Sequence, residues 1–355
     1  MKKGGCALFG CAVVVVLLAL AALAILRLSS SEIAIEPPPA PPETEPPVPS
    51  PPPAQESETP TAPRPALLDP DSFHLTFRFR DSDERPRQFS CAIRRSDYER
   101  ERGGYGFVEK QKVEELNRAL REVFAREAEA RGVAPYFKIE VYGEGSFRWT
   151  WSYPGGTDPE VVERIDAFHA WLENGSRAAV QAIEERYYRD HGMRLDGDDL
   201  NVDYETLARN ASAPLADCFQ ALRSADGGSS RWPLGLFLTF FQDLGYELPP
   251  DVDEDGRETL GFRVPTAVMV KEAGDCDSKA AAFCSLWRQL PARVLLVMVP
   301  GHALVAVEGK PGPDQASVRL GNRYFILCEV AGPGRFRPGE TQISGSFEYI
   351  LIEPA

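Results

Sequence analysis

The sequence predicts an α+β fold, preceded by a membrane segment and a proline-rich stalk. Between Phe73 and Phe79 apolar residues alternate with polar ones, as in a half-buried strand. Lys112 to Arg131 has the apolar spacing of an amphipathic helix, and short apolar segments separated by turn residues follow Asp275. The 355 residues supply enough apolar material for one large or two ordinary domains.

The charge balance excludes one class of partner. Thirty-nine Lys and Arg against 53 Asp and Glu give a formal net charge of −14. A chain this acidic has little electrostatic attraction for phosphate backbones. We therefore expect no nucleic acid partner.

Residues 1–30 predict a cytoplasmic tip and a transmembrane signal anchor. Gly4 to Leu26 is uncharged, and its 23 residues reach about 34 Å as a helix, enough for the hydrocarbon core. Lys2 and Lys3 precede it, so the positive-inside rule places the bulk of the chain in the periplasm or at the cell surface. Lipoprotein processing at Cys11 is less favoured, because the apolar region would then follow the cleavage site.

Residues 31–70 predict a disordered stalk. The segment 37–65 holds 14 of the 31 prolines, mixed with Glu, Thr and Ser, and this composition cannot build a core. In the polyproline II conformation its 29 residues span roughly 90 Å. A ligand for proline-recognising domains is the weaker interpretation, since those domains are mostly cytosolic.

Residues 71–200 predict a separate α+β domain of unknown role. A second strand is expected at Phe89 to Ile93, a hairpin at residues 136–153, and a helical region from Asp158 to His191 with a break near Asn174. Its aromatic stripe has strand spacing, which favours a core face over a carbohydrate platform; the stripe comprises Trp149, Trp151 and Tyr153. The histidines of this region have no partners at ligand spacing and receive no role; they are His74, His169 and His191.

Residues 201–355 predict a second domain, and this one carries a candidate active site. Helices are expected at Tyr204 to Arg223 and Leu234 to Leu244, and a third begins at Asp275. Asp275 is a natural N-cap, which puts Cys276 in the first helical turn, where the helix dipole favours an anion. The pattern therefore predicts that Cys276 is a nucleophile.

Two of the strands that follow supply partners for this thiol. His302 opens a strand that extends to Glu308, and Gly301 is expected to remove bulk beside the imidazole. On the strand expected at residues 324–330, Glu329 shares a face with Phe325 and Leu327. A carboxylate there can hold the imidazole of a neighbouring strand in the useful tautomer and stabilise its charged form.

At these residues the chain resembles the transglutaminase-like superfamily, which is related to papain-type thiol enzymes. The resemblance covers about 201–355: Cys276 stands in GDCDSKA, His302 in PGHALVAV and Glu329 in YFILCEVAG. It implies a core in which the cysteine-bearing helix packs on an antiparallel sheet, with Cys276 as nucleophile, His302 as base and Glu329 as orienting acid. It also implies that Gln242, in FFQDLGY, donates to the oxyanion.

The sequence departs from the family pattern at two places. Asp277-Ser278 replaces the commoner Glu-Asp, at positions that are not triad members, and Glu329 replaces the commoner Asp. The implied activity is an acyl-enzyme reaction on a peptide or protein amide, with hydrolysis expected and no cofactor. An amine-transferring transglutaminase and a catalytically silent envelope scaffold are the alternatives.

Two further features leave alternatives open. Five cysteines lie outside the membrane segment; Cys284 and Cys328 could form a disulfide, but two small buried apolar side chains are the preferred interpretation. The acidic loop with Asp251, Asp253 and Asp255 matches the start of a calcium-binding loop. Phe262 stands where a bidentate Glu is needed, so a solvated loop is favoured over a calcium site.

Overall fold

The computed structural model of the protein describes residues 69–141, 147–152, 158–225, 233–332, 334–341 and 347–355. Within them the fold is mixed α+β, as predicted. These residues divide into two compact units. The smaller comprises Phe107–Asn201 with Gly256–Glu258, and the larger comprises the described residues up to Gly106 together with Val202–Asp255 and Thr259–Ala355.

The larger unit is built on a five-stranded antiparallel sheet with strand order β11-β12-β10-β9-β13. The strands are β9 (Val294–Val299), β10 (His302–Glu308), β11 (Ser317–Leu320), β12 (Arg323–Cys328) and β13 (Glu348–Ile352). The central strands β9 and β10 are almost wholly buried, which explains their near-continuous apolar sequence. The expected strand at 324–330 ends earlier, at Cys328, so Glu329 lies one residue beyond β12.

One buried helix packs against this sheet. Helix α9 (Cys276–Trp287) lies against β9 and β10, and every side chain from Ser278 to Trp287 is buried. Its aromatic side chains stack, with the ring centroids of Phe283 and Trp287 5.5 Å apart. A helix with apolar side chains on all its faces must pack against other elements on every side, and four further helices of this unit contact α9.

The surrounding helices of this unit are α5 (Tyr204–Ser212), α6 (Ala216–Ser224), α7 (Leu234–Asp243) and α8 (Pro265–Lys271). The single helix expected from Tyr204 to Arg223 is therefore two helices. Pro214 stands between them, where its missing N–H and its restriction of the preceding residue end a helix. Two short parallel strands, β7 (Gly245–Tyr246) and β8 (Ala273–Gly274), connect α7 and α8 to the start of α9.

The N-terminal hairpin belongs to the larger unit. Strands β1 (Ser72–Arg80) and β2 (Pro86–Arg94) pair antiparallel and lead into α1 (Arg95–Gly103), and the alternating burial of β1 confirms the strand prediction. The sequence predicts this hairpin in one domain with the rest of residues 71–200. In the structure it belongs instead to the larger unit, because it packs on α6 and α7 through the Cys91–Cys218 disulfide and the ring of Phe240.

The smaller unit is mostly helical. It contains α2 (Glu109–Ala130), α3 (Pro159–Asn174) and α4 (Ser176–Asp190), and the hairpin β3 (Phe137–Val141) with β4 (Phe147–Trp151). The hairpin β5 (Met193–Asp196) with β6 (Asp199–Val202) ends it. The structure confirms the predicted amphipathic helix, which is α2, and the two predicted strands, which are β3 and β4. It also confirms the break in the helical region, which falls between α3 and α4.

The aromatic stripe of β4 is a core face, as expected. The ring of Trp151 packs on Phe137 and Phe168, and that of Trp149 lies 5.9 Å from the His169 ring. Tyr153 lies outside the described residues.

The structure does not test the expected membrane segment. None of the helices between residues 69 and 355 that the structure describes is long and apolar enough to cross a bilayer. Gly4 to Leu26 and the stalk at 31–70, up to residue 68, lie outside the described residues.

The disulfide gives a prediction about stability. Cys91 and Cys218 are 127 residues apart in sequence, so their bond removes much entropy from the unfolded chain. In the Cys91→Ala, Cys218→Ala double variant we expect the free energy of unfolding to fall by about 2–5 kcal/mol. Urea unfolding measures this change. Reductant should lower the unfolding midpoint of the wild-type chain but leave that of the double variant unchanged; equal sensitivity of both chains to reductant would contradict the assignment.

Candidate active site

Cys276 occupies the first turn of the buried helix and remains accessible. It is a free, half-buried thiol at the first residue of α9. The carboxylate of Asp275 accepts a hydrogen bond from the Ser278 N–H at 3.3 Å, which confirms the predicted N-cap. The helix start thus directs unpaired backbone N–H groups and a positive dipole end toward the sulfur.

His302 is placed by a tight turn at the edge of the same site. It is the first residue of β10, paired with Val299 across a two-residue turn of Pro300 and Gly301. Gly301 has φ of 75°, a conformation that side-chain-bearing residues rarely adopt. Apart from its two chain neighbours, a Cβ atom there would meet nothing within 4 Å, so the positive φ of the turn is the observed reason for glycine at this position.

Glu329 holds the imidazole from the other side. Its Oε2 lies 2.6 Å from His302 Nε2, and its Oε1 accepts a hydrogen bond from the Ala331 N–H at 2.8 Å. Both carboxylate oxygens are therefore used, and the side chain is largely buried. A carboxylate fixed at both oxygens can fix the ring orientation of its histidine.

The side chain of Cys276 also interacts with the imidazole. This interaction is the largest cause, and the hydrogen bond to Glu329 the next, of a rise in the pKa of His302 to about 10. The structure thus brings Cys276, His302 and Glu329 together in the order that nucleophile, base and orienting acid require.

Gln242 is near this group but differs from the expectation. Its Nε2 donates to the carbonyl oxygens of Glu329 at 2.7 Å and Phe336 at 3.0 Å, and its Oε1 accepts from the Phe336 N–H at 3.3 Å. Both amide hydrogens are therefore engaged with backbone. In place of the expected oxyanion contact, Gln242 positions the segment that follows the acid.

This segment approaches α7 so closely that it needs a glycine. Gly332 has φ of 67°, and a Cβ atom on it would lie 2.8 Å from the carbonyl oxygen of Gln242. No larger residue fits there without moving the backbone.

Lys279, to which the sequence analysis gave no role, also holds the segment that follows Glu329. It is fully buried, and its Nζ donates to the carbonyl oxygens of Leu244 and Ala331, each at 2.7 Å. Desolvation lowers its pKa to about 8. The sequence does indicate a special role for this lysine, since Lys279 is the only charged residue between Ser278 and Trp287.

Asp277, at one of the departures from the family pattern, forms a buried polar contact behind the thiol. The Tyr204 hydroxyl donates to its Oδ2 at 2.7 Å. Burial first, and then a hydrogen bond to Asp275, raise the pKa of Asp277 to about 7. Near neutral pH Asp277 is therefore partly protonated, which limits the negative charge beside Cys276.

Tyr246 lies beside the residues that lead into Cys276. It pairs with Gly274, two residues before Cys276, and its phenol is half exposed. Desolvation raises the pKa of Tyr246, and the negative charge of Cys276 and Asp275 adds to the rise. The sequence reasoning placed this tyrosine in a motif but gave it no role.

The carboxylates of the acidic loop contact an arginine. The Arg102 guanidinium lies 3.8 Å from Asp253, 2.9 Å from Glu254 and 2.7 Å from Asp255, where a cation would compete with it. Among the described residues no three His, Cys, Asp or Glu side chains are grouped to hold a metal.

The remaining cysteines and histidines have ordinary surroundings. Cys284 and Cys328 are free and buried, which confirms the preferred interpretation, and burial raises the pKa of Cys328 to about 12. Of the unassigned histidines, His74 bonds to the Asp69 carbonyl oxygen and His191 to that of Tyr187, each at 2.8 Å.

The position of Gln242 generates a prediction. In Gln242→Met two part-buried hydrogen bonds to backbone carbonyl oxygens are lost, so we expect the free energy of unfolding to fall by about 1–3 kcal/mol. Urea unfolding checks this, with the exposed Gln220→Met, on α6, as the matched control. Unchanged stability combined with lost activity would instead assign Gln242 to the oxyanion.

The chain was compared with protein-family models, curated proteins and solved structures, and none of them matches. The features that bear on its chemistry are those of the site itself, in which His302 is hydrogen-bonded to Glu329 and interacts with Cys276.

Proposed function

We propose that the protein is a thiol hydrolase that acts on peptide or side-chain amides, a member of the transglutaminase-like superfamily. The observation that carries the proposal is the imidazole of His302, which is hydrogen-bonded to the Glu329 carboxylate and interacts with the side chain of Cys276 at the start of α9. The packing of α9 on β9 and β10 supports it, because this is the helix-on-sheet arrangement that the sequence resemblance implies.

In the proposed reaction His302, whose pKa is raised to about 10, already holds the proton of the thiol, and the Cys276 thiolate attacks the amide carbonyl carbon. The imidazolium then protonates the leaving amine as the C–N bond breaks, which leaves a thioester on Cys276. Water, deprotonated by His302, attacks the thioester and releases a carboxylic acid and the free thiol. Glu329 keeps the imidazole oriented and stabilises its charged form throughout.

The oxyanion of the tetrahedral intermediate needs donors, and the start of α9 supplies one. The backbone N–H of Cys276 is in the first helical turn, where N–H groups have no partner within the helix. This donor is fixed by the Asp275 cap before substrate arrives, which is the condition for effective electrostatic stabilisation. Gln242, with both amide hydrogens on backbone carbonyls, is not assigned to this task.

The proposed location is extracytoplasmic, on a membrane anchor at residues 1–30 and a stalk at 31–70. The Cys91–Cys218 disulfide supports it, since disulfides persist in oxidising compartments. The substrate is then a peptide or protein amide of the envelope or the surroundings.

The thiol can be tested without knowing the substrate. We expect iodoacetamide at pH 7 to alkylate Cys276 about tenfold faster than a free cysteine, because the neighbouring imidazole and the helix N-terminus favour the thiolate. Mass spectrometry of the modified chain locates and times the reaction. Cys276→Ala should abolish the fast reaction, since Cys284 and Cys328, the other free cysteines among the described residues, are buried. Reaction at the rate of a free thiol would favour the silent scaffold.

The same chain distinguishes hydrolysis from amine transfer. Offered a glutamine peptide and a labelled primary amine, a hydrolase releases ammonia or cleaves the peptide without incorporating the label. Incorporation that depends on Cys276 would favour the transglutaminase alternative.

The imidazole gives a prediction about pH. Since the pKa of His302 is raised to about 10, its folded-state charge, and the stability linked to it, should be complete below pH about 6.5 and lost as pH rises toward 10. NMR titration of the 15N-labelled imidazole measures this directly. Cys276→Ala and Glu329→Gln should each move the titration to lower pH, because each removes a partner of the charged form. A wild-type midpoint near 6.5 would contradict the proposed interaction of His302 with Cys276 and Glu329.

A further inference from the structure

The larger unit carries a concentration of exposed apolar side chains in one short segment. Eight large apolar side chains are exposed in the described part of the chain, and four of them lie between residues 246 and 260. We define these four as the apolar strip: Tyr246 at 52% exposure, Leu248 at 72%, Val252 at 45% and Leu260 at 39%. Grouped exposed apolar residues usually mark a contact surface.

The apolar strip begins at the candidate active site. Tyr246 pairs with Gly274, and the Glu247 N–H donates to the Gly274 carbonyl oxygen at 3.3 Å, so the segment runs beside the residues that lead into Cys276. The Glu247 side chain pairs with Arg263. Because side chains alternate along an extended chain, Tyr246 and Leu248 lie on the face opposite to Glu247.

The rest of the strip is held in place before any ligand arrives. The Thr259 N–H donates to the Asp251 carbonyl oxygen at 2.6 Å, and its hydroxyl donates to that of Pro250 at 2.9 Å. The Tyr105 hydroxyl in turn donates to the Thr259 carbonyl oxygen at 2.7 Å. These bonds join Thr259 to Pro250 and Asp251, and a Cβ atom on Gly261 would lie 3.7 Å from the Pro249 carbonyl oxygen. The chain next to Leu260 therefore approaches the chain next to Leu248.

Leu260 shows that this arrangement is maintained against a conformational cost. Its φ is 52°, in the left-handed region that leucine seldom occupies, and its side chain is nevertheless exposed. An exposed apolar side chain on strained backbone contributes little to folding, and such strain is concentrated at functional positions.

We propose that the apolar strip binds an extended segment of the substrate polypeptide that carries large apolar side chains next to the amide attacked by Cys276. This inference rests on the proposed function. A polypeptide is the occupant because the strip is continuous with the residues before the thiol. The carboxylates of Glu247, Asp251, Asp253 and Glu254 lie along the same segment and disfavour an anionic lipid surface.

The test compares two electrophilic peptides that alkylate Cys276 of the full-length chain. Both are peptidyl chloromethyl ketones ending in glycine; one carries two leucines before the glycine and the other two asparagines of similar size. In each case the Cys276 sulfur displaces chloride and a thioether forms. We expect the leucine reagent to react about tenfold faster, since burial of one or two apolar groups has this order of effect on specificity.

Matched variants distinguish binding of the reagent at the apolar strip from nonspecific binding at other apolar surface residues. In the double variant Leu248→Asn, Leu260→Asn the preference for the leucine reagent should fall to within about twofold, with the iodoacetamide rate unchanged. Asparagine tolerates the left-handed conformation at position 260, so this variant should fold. Tyr349→Asn, at a similarly exposed apolar residue on β13, should retain the full preference.

The outcomes distinguish the two proposals. If iodoacetamide reacts with Cys276 no faster than with a free thiol, the proposed function fails. If iodoacetamide reacts rapidly but the two peptides react equally, or the preference survives in the double variant, the apolar strip does not bind substrate and the proposed function stands.

Discussion

The geometry of the candidate active site depends on one buried ammonium group. Lys279 is fully enclosed on a helix whose other neighbours are apolar, and burial of an unpaired charge would cost several kcal/mol. Its bonds to the carbonyl oxygens of Leu244 and Ala331 compensate for that cost. They join the end of α7, the thiol helix and the segment after the acid at a single point. The Glu329 carboxylate adds a favourable charge interaction. The lysine therefore sets the distance between the helix that bears the nucleophile and the chain that bears the orienting acid.

Around that point the site is assembled from elements far apart in sequence. The thiol comes from a helix start, the base from a tight hairpin turn, and the acid from the residue after a strand. Each location is one where backbone groups are not all used by secondary structure, so the side chains can face a common space. Gln242 and Gly332 then hold the acid's segment against α7, the first through its side-chain amide and the second through the absence of a side chain. The acid is thus constrained from two directions, while the thiol and imidazole remain half exposed to an incoming substrate.

The sequence alone determined the local features. The fold class, the strand alternation at Phe73 to Phe79, the N-cap at Asp275 and the strand that begins at His302 are all written in short-range patterns, since periodicity and capping depend on neighbours within a few residues. Cys276, His302 and Glu329 were also predicted to lie together, because their motifs occur in a characteristic order along the chain. Pro214, which divides α5 from α6, shows that even a local signal is missed when the apolar spacing on both sides is continuous.

Only the tertiary structure decided which distant groups meet. The partners of Gln242, the role of Lys279 and the pairing of Cys91 with Cys218 depend on how α7, α9, β2 and the segment after β12 come together. No periodicity encodes such contacts, because a side-chain amide or ammonium can satisfy its hydrogen bonds with any carbonyl oxygen that packing brings within reach. The same reason explains why the N-terminal hairpin joins the larger unit, across more than a hundred intervening residues. The sequence supplied the chemically competent residues, and long-range packing selected their partners.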